Sequence, residues 1–80
     1  MSVISGVVTR PNGTPVSGAT VSAAVGGLLG GVTDRVSTDS SGRFLLTYSH
    51  AGAADIVYCN GQEAARNVAS GTNSLHLIAR

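Results

Sequence analysis

Apolar and polar residues alternate in short runs along most of the chain, which is the pattern of β-strands with one buried face. The clearest run covers residues 43–49, where Phe44, Leu46 and Tyr48 occupy every second position. Similar runs recur between turn signals and predict seven strands: 3–9, 20–25, 32–38, 43–49, 55–60, 62–69 and 74–79. Seven short strands of this kind favour an all-β, antiparallel sandwich of two sheets.

The segment 62–69 allows two interpretations. Asn60 followed by Glu63 resembles a helix cap, and Ala64 and Ala65 favour a helix. Asn60-Gly61, however, is the strongest two-residue hairpin signal in the chain, because both central positions of that turn require positive φ. We predict a strand at 62–69, with a short helix as the alternative.

Two further segments predict turns. Asn12-Gly13 and Pro15 mark a bend, and Gly18-Ala19 lets the backbone pass close to a neighbouring strand before residue 20. Residues 13–21 are therefore predicted to form an elbow between the first two strands, in place of a tight hairpin. Residues 39–42, Asp-Ser-Ser-Gly, predict a second turn.

The length and charge of the chain indicate how many domains it forms and which kinds of partner its charge would attract. Eighty residues predict a single domain, residues 1–80, that buries about 60% of its unfolded surface. Five arginines, no lysine and four acidic residues make 11% of the chain charged, against about 25% in average domains. The net charge of +1 gives no electrostatic reason to bind nucleic acid or an anionic membrane. No apolar run is long enough for a membrane-spanning helix.

Three segments are similar to a known family: residues 4–8 (ISGVV), 12–21 (NGTPVSGATV) and 38–44 (TDSSGRF). Together they resemble the carboxypeptidase regulatory-like domain. The resemblance implies a seven-stranded, prealbumin-like (transthyretin-like) sandwich of Ig-like architecture. It also implies a non-catalytic module of the kind attached to enzymes, receptors, adhesins or secretion-needle proteins.

One enzyme group, the hydroxyisourate hydrolases, has a similar sandwich. Its members need a histidine on the first strand and a Tyr-Arg-Gly-Ser type of C-terminus. The matching position here is Gly6, and the chain ends in Leu77-Ile78-Ala79-Arg80. The resemblance therefore implies no such activity.

The reactive side chains do not form a recognisable catalytic set. Cys59 could be paired with His50 or His76 as a nucleophile and base, but no spacing aligns them, and a cysteine in a strand is usually a small buried apolar residue. The two histidines also lack metal-ligand spacing. The absence of lysine excludes a Schiff base. We predict no enzyme activity, catalytic residue, cofactor or metal.

A leucine pair lies between two glycine pairs in residues 26–31 (GGLLGG). The leucines either cover the end of the core or are anchors for a partner's groove. The predicted partner-binding residues are Gly27, Leu28, Leu29 and Gly30. Free edge strands offer a second way to dock, by adding a strand across the interface.

These observations favour a non-enzymatic structural protein that docks onto a larger assembly. A virion capsid decoration (cement) protein or a tail or needle accessory protein fits best, with capsid or tail proteins as partners and homo-oligomer formation left open. The expected location is the virion or another assembly. Residues 1–4 show no signal-peptide pattern, so the protein is expected to be made without a signal peptide. The alternative is an accessory ligand-binding, carbohydrate-binding or adhesion module from a longer secreted protein.

Overall fold

The protein is represented by a computed structural model that describes residues 2–26, 30–49 and 52–79. Within these residues the chain forms strands and no helix. The strands are β1 (Ser2–Thr9), β2 (Thr20–Val25), β3 (Gly31–Val32), β4 (Val36–Ser37), β5 (Arg43–Tyr48), β6 (Ala54–Cys59), β7 (Gln62–Val68) and β8 (Leu75–Ile78). The all-β prediction is confirmed, and so is the preference for a strand over a helix at 62–69.

The strands form two sheets. Sheet A has the order β5-β1-β8, and sheet B has the order β3-β2-β6-β7, with β4 pairing with β2 on the same edge as β3. All pairs are antiparallel except β1 and β8, which run parallel. The sequence had predicted antiparallel pairing alone, because alternation shows which face is buried but not the direction of the neighbouring strand.

The predicted strand at 32–38 is divided into β3 and β4. Thr33 explains the interruption, because its side-chain Oγ1 accepts the hydrogen bond from the Ala23 N–H at 3.0 Å. The Thr33 N–H donates to the Ala23 carbonyl at 2.8 Å. A side chain thus replaces one backbone acceptor of the ladder, so the regular pairing with β2 stops there.

The core lies between the two sheets and follows the predicted alternation. Along β5 the side chains of Phe44, Leu46 and Tyr48 are buried, while Leu45 and Thr47 are exposed. The core is mostly aliphatic and contains Ile4, Val8, Ala19, Val21, Ala23, Phe44, Leu46, Tyr48, Ala54, Val57, Cys59, Val68 and Leu77. With so few aromatic residues, its stability depends on close packing of small side chains.

The Asn60-Gly61 turn has the predicted conformation. Asn60 has φ of 54° and Gly61 has φ of 81°, as a two-residue hairpin with two left-handed positions requires. The Asn60 side chain also accepts a hydrogen bond from the Thr20 N–H at 2.9 Å. The turn therefore joins β6 to β7 and contacts the start of β2.

The elbow between β1 and β2 is held by Thr38. The Thr38 hydroxyl accepts from the Ala19 N–H at 2.9 Å and donates to the Val16 carbonyl. The Thr38 N–H donates to the Ala19 carbonyl at 2.9 Å, and its carbonyl accepts from the Gly18 N–H at 3.0 Å. One buried residue after β4 therefore makes four hydrogen bonds to the segment that leads from sheet A to sheet B.

We predict that Thr38→Val lowers the free energy of unfolding by about 1–3 kcal/mol, because valine keeps the shape but leaves the Ala19 N–H without its acceptor. Urea unfolding of both proteins measures the change. Thr47→Val, at an exposed position, is the matched control and should change stability by less than about 0.5 kcal/mol. Equal stability of the Thr38 variant and the wild type would contradict this role.

We also predict that Gly6→Ala destabilises the fold by about 3 kcal/mol, since a Cβ at Gly6 would lie 1.9 Å from the Leu75 carbonyl oxygen on β8. The Leu75 backbone is held in β8 and cannot move away from the added methyl group, as the end of a flexible side chain could. Gly31→Ala is the control, because a Cβ there meets no atom within 4 Å. Thermal unfolding of the two variants should differ clearly, and similar melting temperatures would refute the close contact.

Candidate functional site

The predicted partner-binding loop is only partly within the described residues. Gly27, Leu28 and Leu29 lie outside them, so the exposure of the two leucines stays a prediction. Gly30 is exposed, and a Cβ on it would lie 1.6 Å from the Val25 carbonyl oxygen and 2.6 Å from the Gly26 Cα. Gly26 has φ of 79°. Gly26 and Gly30 are therefore needed to close the base of the β2–β3 hairpin.

The candidate nucleophile and base are not brought together. Cys59 is 4% exposed and faces the core from sheet B. His76 lies on the outer face of sheet A, with its Nε2 2.7 Å from the Thr9 Oγ1. His50 lies outside the described residues. Burial raises the pKa of the Cys59 thiol, so the reactive thiolate is disfavoured.

The described residues also hold no group of three or more metal-ligating side chains. No helix capable of crossing a bilayer occurs among residues 2–26, 30–49 and 52–79.

The open edge of β5 offers unpaired backbone groups. The Val8 N–H donates to the Gly42 carbonyl at 2.7 Å. Hydrogen-bonded and non-hydrogen-bonded pairs alternate along an antiparallel ladder. Because the register between β1 and β5 is uniform, the pairs Gly6–Phe44 and Ile4–Leu46 also exchange hydrogen bonds. The N–H and C=O groups of Leu45 and Thr47 must then point away from β1, and they make no hydrogen bond to another described residue.

Arg43 supports this assignment. Its N–H donates to the Asp39 Oδ1 at 2.9 Å, and its carbonyl accepts from the Asp39 N–H at 3.0 Å. Both groups therefore point to the same open side as those of Leu45 and Thr47. At Arg43 the turn before β5 satisfies them, and beyond Arg43 the edge is free.

The other edge strands are less suited to pairing. β3 and β4 have two residues each, and β8 has four. β7 is longer, but it carries the exposed Glu63–Arg66 ion pair and an irregular register opposite Val57 and Tyr58. Short length, charge and bulges are the features by which proteins protect sheet edges. β5 has six residues and, after Arg43, no charge.

The outer face of sheet A beside this edge is apolar in part. Leu45 is 60% exposed and Val3 is 37% exposed. Leu45 and Val3 are both on the face opposite the buried Ile4 and Leu46. An apolar side chain therefore stands at a position in β5 where alternation would normally place a polar one.

Comparison with known proteins identifies the family of this chain. Residues 3–75 match the family model of the carboxypeptidase regulatory-like domain. The chain belongs to that family. Comparisons with curated proteins and with solved structures found no match.

The matched residues include the elbow and the turn before β5. The family match does not identify the β5 edge as a site. The sequence signal for that edge was Leu45, an apolar residue on the outward side of the clearest alternating run. The order of the strands was also needed, because only an edge strand has free backbone groups.

We predict that Cys59 in the folded domain reacts with a thiol reagent much more slowly than it does in denaturant, because the thiol is buried and its pKa is raised. Absorbance after mixing with a disulfide reagent gives both rates. Thr47→Cys in a Cys59→Ala background is the exposed control and should react at an ordinary thiol rate. Rapid labelling of folded Cys59 would contradict its burial.

Proposed function

We propose that this domain is a non-enzymatic interaction module that docks onto a protein partner in a larger assembly. The docking mode is addition of a partner strand to the open edge of β5, with the partner covering the adjacent apolar face of sheet A. The proposal rests on the outward-pointing N–H and C=O groups of Leu45 and Thr47, four groups in all, beside the exposed Leu45 side chain.

The energetics favour a contact that uses both edge and face. Four backbone hydrogen bonds contribute about 1 kcal/mol each, and burying an exposed leucine adds about 1.5–3 kcal/mol. Association costs at least about 4 kcal/mol in lost motion. A single edge is therefore a weak contact, and stable docking needs the apolar face or several copies on one surface.

The low charge of the chain supports the same proposal. Only 11% of its residues are charged, so the surface has little electrostatic protection against association. The proposed role is that of a capsid decoration protein or a tail or needle accessory protein, with capsid or tail proteins as partners. Those settings present the same contact surface in many copies, which is what a weak contact requires.

The alternative role, an accessory carbohydrate-binding module, depends on aromatic side chains that stack on sugars. Phe44 and Tyr48 are buried, and the Tyr48 hydroxyl donates to the Gly52 carbonyl at 3.1 Å. Tyr58 is half-buried on the outer face of sheet B. Any sugar stacking on an aromatic ring of the described residues would therefore take place at Tyr58, on the sheet opposite β5.

We predict that Thr47→Pro and Leu45→Arg each abolish docking while the melting temperature stays within a few degrees of the wild type. Proline removes an N–H that points away from β1, so the ladder inside the domain is kept. Arginine places a charge at the apolar contact. Gln62→Arg is the control, because Gln62 is exposed on β7, the edge strand of sheet B on the far side from β3.

Co-sedimentation of each variant with purified capsid or needle particles measures docking, and sedimentation velocity of the domain alone measures self-association. Amide hydrogen exchange gives an independent readout, because the Leu45 and Thr47 amides should be protected only in the docked state. Docking that both edge variants retain, or that Gln62→Arg removes equally, would overturn the proposed surface.

A further inference from the structure

The outer face of sheet B carries an open groove of about 530 Å³, within the range of about 300–1,000 Å³ usual for ligand sites. β2 supplies the floor through Thr20 and Ser22, because Val21 and Ala23 point into the core. Val32 and Arg35 flank one side, and Tyr58 and Asn60 flank the other. The groove therefore runs across β2, from the β3–β4 edge of the sheet to β6.

The groove is concave enough to shelter its floor. Ser22 is only 9% exposed although it points away from the core. Tyr58 is its partner across the β2–β6 pair, so the phenol ring stands beside the Ser22 hydroxyl. Gly61 lines one end and has open space where a side chain would be. A chain-like ligand can therefore lie in the groove and extend past that end.

Several polar groups of the groove are available to donate hydrogen bonds. The hydroxyls of Thr20, Ser22 and Tyr58 make no hydrogen bond to any residue that the structure describes. The Asn60 Oδ1 accepts from the Thr20 N–H, which leaves the Asn60 amide NH₂ to donate. No carboxylate lines the groove. The hydroxyls can donate or accept, whereas the Asn60 NH₂ and the Arg35 guanidinium can only donate, so a matching ligand needs acceptors for those two groups.

Arg35 supplies the positive charge. It is exposed and forms no ion pair with a described residue, whereas Arg66 is already paired with Glu63. A guanidinium beside hydroxyls and an amide can bind a carboxylate by two parallel hydrogen bonds. The half-buried ring of Tyr58 offers a flat apolar surface next to these donors.

We propose that this groove binds an acidic oligosaccharide, in which a uronic acid carboxylate pairs with Arg35 and a sugar ring stacks on Tyr58. A peptide fits less well, because β2 and β6 are paired on both sides and have no free edge for a strand. The site is on the opposite sheet from β5 and does not rest on the proposed docking function.

The test is a titration of the isotope-labelled domain with oligogalacturonate, followed by NMR amide shifts. Shifts should concentrate at residues 20–22, 35 and 58–61, with a dissociation constant in the millimolar range expected for a small open site. A neutral galacto-oligosaccharide of equal length should bind about tenfold more weakly, since it lacks the carboxylate that makes a charge-assisted bond.

Arg35→Gln and Tyr58→Leu should each weaken oligogalacturonate binding about tenfold, by removal of the charge-assisted bond or of ring stacking. Arg43→Gln, on the exposed side of β5, is the matched control and should bind as the wild type does. Equal binding of the neutral sugar, equal binding of a short polyglutamate peptide, or binding unaffected by Arg35→Gln would each overturn the proposal.

Discussion

Thr38 fixes the first two crossings between the sheets, β1 to β2 and β4 to β5, to each other. The elbow carries the chain from sheet A to sheet B, and the segment after β4 carries it back. Four hydrogen bonds from Thr38 to Val16, Gly18 and Ala19 join those two segments in a buried position. An unsatisfied group there would cost more than a surface bond contributes, so the geometry of the crossings is strongly specified. The placement of β2 and β5 follows from it.

The turn at residues 39–42 extends this constraint to the β5 edge. Gly42 has φ of 76°, and a Cβ on it would lie 2.5 Å from the Val8 carbonyl oxygen. The turn is therefore pressed against β1, and Asp39 satisfies the outward groups of Arg43. The same turn that starts β5 in register with β1 also leaves Leu45 and Thr47 as the first free positions. Local turn chemistry thus determines where a partner strand could begin.

Much of this fold could be predicted from residue patterns. The alternation of apolar and polar residues predicted which side chains of β5 are buried. Asn60-Gly61 predicted a strand at 62–69, because a hairpin turn needs a second strand. The division of the predicted strand at 32–38 could not be predicted, since it depends on the Thr33 side chain reaching Ala23. The parallel β1–β8 pair was also missed, although Gly6 marks where β8 passes too close for any side chain.

The candidate site was less predictable than the fold. The glycines around Leu28 and Leu29 suggested a partner-binding loop. At Gly26 and Gly30, glycine is required because the closure of the hairpin leaves no room for a Cβ. The β5 edge and the groove at Arg35 both depend on which strands become neighbours. Residues 20, 35 and 58 meet only because β2 lies between β6 and the β3–β4 edge. Sequence spacing alone contains no such information.

The two outer faces of the sandwich differ in chemistry, and this difference bears on function. Sheet A presents Val3 and Leu45 to solvent, whereas the middle of sheet B presents hydroxyls between Arg35 and Tyr58. A sandwich of two sheets separates its faces by the thickness of the core, about 10 Å plus the side chains. Occupation of one face therefore does not block the other. The proposed partner strand on sheet A and the proposed ligand on sheet B would therefore use separate surfaces.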